Sequence, residues 1–230
     1  MTTIPGNLQH VRARIATACQ RAGRGVEEVT LLAVSKTFGA DAVRAAAAAG
    51  QRAFGENYIQ EGVEKIAALR DLGLMWHCIG PIQSNKTRLV AEHFDWVHTV
   101  DRLKIAERLS AQRPADLPPL NVCIQVNIDG GANKSGVAPG EALALARAVA
   151  ALPQLKLRGL MSIPEIAPDF EAARAVHASA RALFDQLNAD GLGLDTLSMG
   201  MSDDLEAAIA AGSTMVRIGT AIFGSRAPKP

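Results

Sequence analysis

The sequence predicts an α/β chain folded as a (β/α)8, or TIM-type, barrel with one extra helix at its N-terminal end. Two observations lead there. Short apolar runs recur eight times with helix-patterned segments between them. That alternation is what parallel strands joined by right-handed crossovers require. No G-x-G-x-x-G follows the first run, although an open doubly wound sheet of this size is expected to carry such a loop. The doubly wound sheet is the competing architecture. Residues 1–230 are expected to form a single domain.

In chain order, Leu8, Val11, Ile15 and Ala18 or Cys19 fall at helical spacing, and Gly23 stops the leading helix. Strands are expected near 29–35, 52–54, 74–79, 95–100, 120–128, 155–163, 195–199 and 214–218. Helices are expected near 40–49, 57–70, 84–93, 101–112, 139–151, 169–190 and 202–211. The alanine-rich "ADAVRAAAAAG" reads as a strong helix former closed by Gly50, and needs no functional account. "RPADLPPL" (113–120) reads as a loop between helix and strand rather than a domain boundary.

Composition removes several classes of function. With 48% hydrophobic and 20% charged residues the chain can bury a sizeable core and does not read as disordered. A net charge of +1, with no basic run interleaved with aromatics, gives no support for nucleic acid as a partner. Cys19, Cys78 and Cys123 lack C-x-x-C spacing and read as buried thiols in a reducing compartment. No leader pattern or membrane-length apolar stretch is visible, so a cytoplasmic protein with no membrane partner is expected.

In a barrel the chemistry sits where strands end, and these ends carry glycines, hydroxyls and amides: "FGENY", "HCIGPIQSNK", "VNIDGGANKSG", "GLMSIPE", "LSMGMSDD" and "RIGTAIFG". The first strand ends in Ser35-Lys36. At that position Lys36 can be a Schiff-base nucleophile, a phosphate partner or a lysine reaching to solvent. The first role needs a neutral amine, which burial favours. The loops after strands seven and eight, with Ser202, Gly219 and Thr220, suggest a phosphate site. The bland alternative makes Ser202 a helix cap and Gly219 a turn. Asp203 and Asp204 oppose a bound anion unless they point away.

Arg217 cannot lose its proton and suits phosphate, a carboxylate, a heteroaromatic nitrogen or a structural ion pair. The histidines show no metal-ligand spacing, so no metal is expected, and His77 reads as a hydrogen-bonded core residue. Tyr58, the one tyrosine, begins the second crossover helix beside the pocket, where it could donate a proton or simply pack.

Taken together, "AVSK", "FGENYIQE", "WHCIGPIQSNK", "NKSG", "GLMSI" and "LSMGMSDDLEAAIAAGSTMVRIGTAIFG" resemble the pyridoxal 5′-phosphate homeostasis proteins, the YggS/PROSC-like family, over nearly the whole chain. The resemblance implies a fold-type III barrel like the N-terminal domain of alanine racemase, with pyridoxal 5′-phosphate (PLP, a vitamin B6 form) as cofactor. It implies that Lys36 forms the internal aldimine, that Ser202, Gly219 and Thr220 bind the phosphate, and that Arg217 lies near the pyridine nitrogen. Asn57, Gly80, Met161, Ser198 and Met199 lie in the motifs that line the pocket. One departure is visible: where many bacterial relatives place a second lysine two residues after the first, this chain has Phe38.

A cation at the pyridine nitrogen weakens PLP as an electron sink, whereas a carboxylate strengthens it. No second domain is expected after the barrel, and Tyr58 is the sole phenol in the sequence to complete an acid/base pair. These readings lead to a PLP carrier acting in intracellular cofactor homeostasis, with PLP-dependent apo-enzymes as partners and a monomeric state. The alternatives are a weak amino-acid racemase and a lysine-dependent aldolase that works without PLP.

Overall fold

The computed structural model describes residues 3–131 and 134–225. Asn133 of the "NKSG" motif lies outside the described residues. The strands are β1 Thr30–Val34, β2 Ala53–Glu56, β3 Met75–Cys78, β4 Trp96–Val100, β5 Leu120–Gln125, β6 Leu155–Met161, β7 Thr196–Ser198 and β8 Met215–Ile218. The helices are α1 Ile4–Arg21, α2 Ala40–Ala48, α3 Ile59–Ala68, α4 Thr87–His93, α5 Leu103–Gln112, α6 Ala142–Ala150, α7 Phe170–Ala189, α8 Leu205–Ala210 and α9 Thr220–Phe223. All eight strands pair in parallel in sequence order, and β8 returns to β1. The closed barrel decides between the two architectures, and it leaves no open sheet edge.

The core lies mainly between strands and helices. Outward residues such as Phe54, Leu160, Leu197 and Val216 are fully buried against helix faces carrying Val43, Ala46, Ile105, Leu109, Ala208 and Ile209. Burying each large aliphatic side chain contributes about 1.5–3 kcal/mol. Strand alternation then fixes what faces the barrel axis. Leu32, Val34, Ile79 and Met215 form one interior cluster, and Trp96, Cys123 and Met161 another.

Helix α1 starts with Pro5 in its first turn and the Thr3 hydroxyl accepting from the Gly6 amide. It buries Leu8, Val11, Ile15, Ala18 and Cys19 against α2, α8 and α9, so it covers the seam where the last strand meets the first. The expected helix at 202–211 begins only at Leu205, because the Asp204 carboxylate accepts from the Met201 amide and holds residues 202–204 as a turn. Ser202 is therefore not a helix cap. Helix α9, four residues long, follows Gly219 directly. No helix among the described residues is long and apolar enough to cross a membrane.

Candidate PLP-binding site at the strand ends

The barrel interior changes from apolar to polar toward the carboxyl ends of the strands. Arg217 occupies the inward register of β8 and is 5% exposed. Its Nη1 donates to Ser198 Oγ at 2.7 Å and its Nη2 to the Ser162 carbonyl at 2.9 Å, which fixes the guanidinium plane across β6, β7 and β8. Ser198 Oγ also lies 2.9 Å from His98 Nδ1, and His98 Nε2 lies 2.8 Å from His77 Nδ1. His77 stacks on Trp96 with ring centroids 5.1 Å apart, and Arg158 covers Trp96 at 4.5 Å.

Burial pushes His77 down to about 3, helped by Arg158. It lowers His98 too, with His77 and Arg217 adding to the effect. Burial also brings Arg217 down to about 10, against the pull of Asp204, so the guanidinium is still charged at neutral pH. Both imidazoles are neutral there, and Arg217 is the cation of this relay.

The loops after β7 and β8 converge as expected. Ser202 Oγ accepts from the Ala221 amide at 3.4 Å, which brings it against the start of α9 and beside Gly219 and Thr220. From outside, Arg14 on α1 donates to the Ser202 carbonyl at 3.0 Å and binds Glu206 through two nitrogens. The objection raised by the aspartates is answered for Asp204: one oxygen takes the Met201 amide at 2.6 Å and the other meets His177 Nε2 at 2.8 Å. Burial alone would raise this carboxyl, but His177 and the Met201 amide outweigh it and hold it below its usual value.

Lys36 follows β1 in a turn and is partly buried. The ladder continues through the Ser35 amide, which donates to the Gly55 carbonyl at 3.0 Å. Ser35 points outward to Glu56, so alternation places Lys36 on the inner side, in line with Leu32 and Val34. Register pairs Ala33 with Ile218, so Lys36 and the Gly219–Thr220 loop share one seam of the barrel. Phe38 stacks on Phe223 of α9 at 5.3 Å, which ties the lysine turn to the phosphate-loop helix.

Other expected lining residues divide. Asn57 and Gly80 meet at the ends of β2 and β3: a Cβ on Gly80 would lie 2.0 Å from the Asn57 carbonyl oxygen, so only glycine permits this approach. Met161 faces the interior beside Trp96. Met199 is buried in the layer between sheet and helices, so its side chain is on the other side from Ser198. Tyr58 precedes α3 and is 53% exposed at the rim, rather than beginning the helix in the pocket. Asn57 Oδ1 and Ser162 Oγ are buried at the strand ends with no protein partner, as groups awaiting a polar ligand would be. Among the described residues no cluster of metal-ligating side chains exists.

Sequence reasoning left out His98, Ser162, Glu56 and Lys65. Inward parity on β4 would have found His98, whereas Ser162 follows the inward Met161 and joins the site through its carbonyl, which accepts from Arg217. The other two lie on the outer side of β2 and on α3, where only packing brings them together.

Fold and strand-end site define an alanine-racemase-type barrel, and the alanine racemase N-terminal domain family matches residues 6–227. The alanine racemase of Corynebacterium glutamicum, at 21% identity and a TM-score of 0.65 over 94% of this chain and 60% of that one, shares the fold. A pyridoxal phosphate homeostasis protein of Pseudomonas aeruginosa is 64% identical over 226 residues, covering 98% of this chain and 97% of the relative. The solved structure of PipY from Synechococcus elongatus with PLP bound is 39% identical, with a TM-score of 0.80 over 91% of this chain and 100% of that one. This chain belongs to the family of pyridoxal phosphate homeostasis proteins.

Proposed function

We propose that this protein holds PLP through the amine of Lys36 and acts in intracellular PLP homeostasis, taking up and releasing cofactor without robust substrate turnover. The residues present fit the group. Ser202, Gly219 and Thr220 would take the phosphate, Arg217 would face the ring nitrogen, and the partnerless Asn57 Oδ1 and Ser162 Oγ offer further polar contacts. When bound, PLP supplies an aldehyde and an electron-withdrawing ring.

The observation that carries the reading is the fixed charge of Arg217. A guanidinium still protonated at neutral pH accepts no proton and repels one from a nitrogen that it faces. Ser198 and the Ser162 carbonyl hold it in place, and the neutral His98 and His77 behind Ser198 bring no second charge. Such a site disfavours eliminations and transaminations, while racemisation, which tolerates a weak sink, also needs a proton donor opposite Lys36, a role for which Tyr58 at the exposed rim is poorly placed. Asn57, Gly80, Met161 and Ser198 shape the cavity, and Met199 contributes through its main chain. Release to PLP-dependent apo-enzymes, a monomeric state and a cytoplasmic location complete the proposal.

Borohydride reduction of the PLP-loaded protein followed by peptide mass spectrometry tests it. The pyridoxyl mass is expected on the peptide carrying Lys36 and absent in Lys36→Ala. Rapid α-proton exchange of amino acids in deuterated water, abolished by Lys36→Ala, would sink the carrier reading in favour of a racemase.

A further inference from the structure

We propose that Glu61 and Lys65 are positioning residues that hold the turn bearing Lys36, acting through Ser35 and Thr37; the inference rests on Lys36 being the residue that holds PLP. Lys65 is 6% exposed, and its ammonium has three acceptors for its three protons. These are the Ser35 carbonyl at 2.8 Å, Glu56 Oε1 at 2.9 Å and Glu61 Oε1 at 2.5 Å. Ser35 Oγ donates to the same Glu56 oxygen at 2.5 Å. Residue 35 is thus gripped through both its hydroxyl and its carbonyl.

The other side of Lys36 is gripped by the same cluster. The Thr37 amide donates to Glu61 Oε1 at 2.7 Å, and Thr37 adopts φ +69°, a left-handed conformation that a β-branched residue avoids. A strained residue of this kind persists only where its surroundings over-determine it. Here the surroundings are a carboxylate fixed by the Lys65 ammonium four residues along α3. Without that hold Thr37 relaxes toward negative φ, and the rotation re-aims the peptide that carries Lys36. The hydrogen bonds of Lys65 and Glu61 to this turn go to Ser35 and Thr37, and Lys65 joins them to Glu56 on the outer side of β2. They act on the lysine by fixing the backbone on both sides of it.

The test compares the full-length wild type with Glu61→Ala, Glu61→Gln, Thr37→Gly and the Glu61→Ala/Thr37→Gly pair. Two quantities are read: amide hydrogen exchange at residue 37 without PLP, and the rate at which loaded protein loses its bound-PLP absorbance when a phosphatase consumes released PLP. Glu61→Ala is expected to lose protection at Thr37 and to release PLP about tenfold faster, the order of one charge-assisted hydrogen bond. Glu61→Gln keeps an acceptor for Thr37 and is expected within about threefold of wild type. Thr37→Gly in the Glu61→Ala background restores retention to within about threefold, because glycine adopts the left-handed turn without being held.

Unchanged exchange and release in a folded Glu61→Ala protein overturns the proposal. So does equal PLP loss from Glu61→Ala with and without Thr37→Gly. A wild type that takes up no PLP refutes the binding reading instead, and the exchange measurement then still decides whether Glu61 holds the turn.

Discussion

Burial keeps His77 unprotonated down to about pH 3, whereas an unfolded chain protonates histidine near 6.5. The folded value is depressed, so the stability it brings is complete above the unfolded pKa and drains away as pH falls from there toward 3. The loss from His77 alone reaches about 2 kcal/mol by pH 5. His98 is shifted the same way. Glu56, raised mainly by burial, has the opposite sign: its contribution is present below the usual carboxylate value and fades as pH rises. The histidine effect is therefore read as a difference. Thermal unfolding midpoints of wild type and His77→Gln between pH 7 and 5 are expected to diverge, with the wild type falling faster. The strand-end motifs made Lys36, Ser202 and Arg217 stand out, because each lies within two residues of a glycine or a serine in a recognisable string. His98 was not, since its meaning depends on His77 lying across a strand pair, 21 residues away in the chain.

Among the elements, β6 and β7 show how little slack the barrel has. Gly159 pairs with Thr196, and a Cβ built on it would lie 1.6 Å from the Thr196 carbonyl oxygen. Gly159→Ala must push the two strands apart, at a cost of about 3 kcal/mol. Gly140→Ala, where a Cβ meets nothing within 4 Å, is expected within about 0.5 kcal/mol of wild type. Urea unfolding midpoints check both. Strand existence and order were legible because apolar runs bounded by turn residues leave few alternatives. Ends were less so. The run at 120–128 continues past Gln125, but there the chain leaves the ladder for a single bridge between Val126 and Val137. The four residues of α9 carry too little periodicity to be read as a helix.

At the scale of the whole molecule, α1 is the clasp of the barrel. Arg14 reaches the Ser202 carbonyl and Glu206, while the Asn7 side chain donates to the Ile222 carbonyl at 2.8 Å. Arg14→Met is expected to loosen the phosphate loop and speed PLP loss about threefold, the modest effect of a partly exposed ion pair, while the fold persists. Release rates measured beside thermal midpoints separate the two effects. The clasp also joins segments 188 to 215 residues apart. During synthesis α1 leaves the ribosome long before α8 and α9 exist, and at roughly 5–20 residues per second it waits on the order of ten seconds or more for its packing surface. Its apolar stripe of Leu8, Val11 and Ile15 is exposed meanwhile. A nascent chain of this protein thus offers chaperones an amphipathic helix first, and that handle disappears when the ring closes.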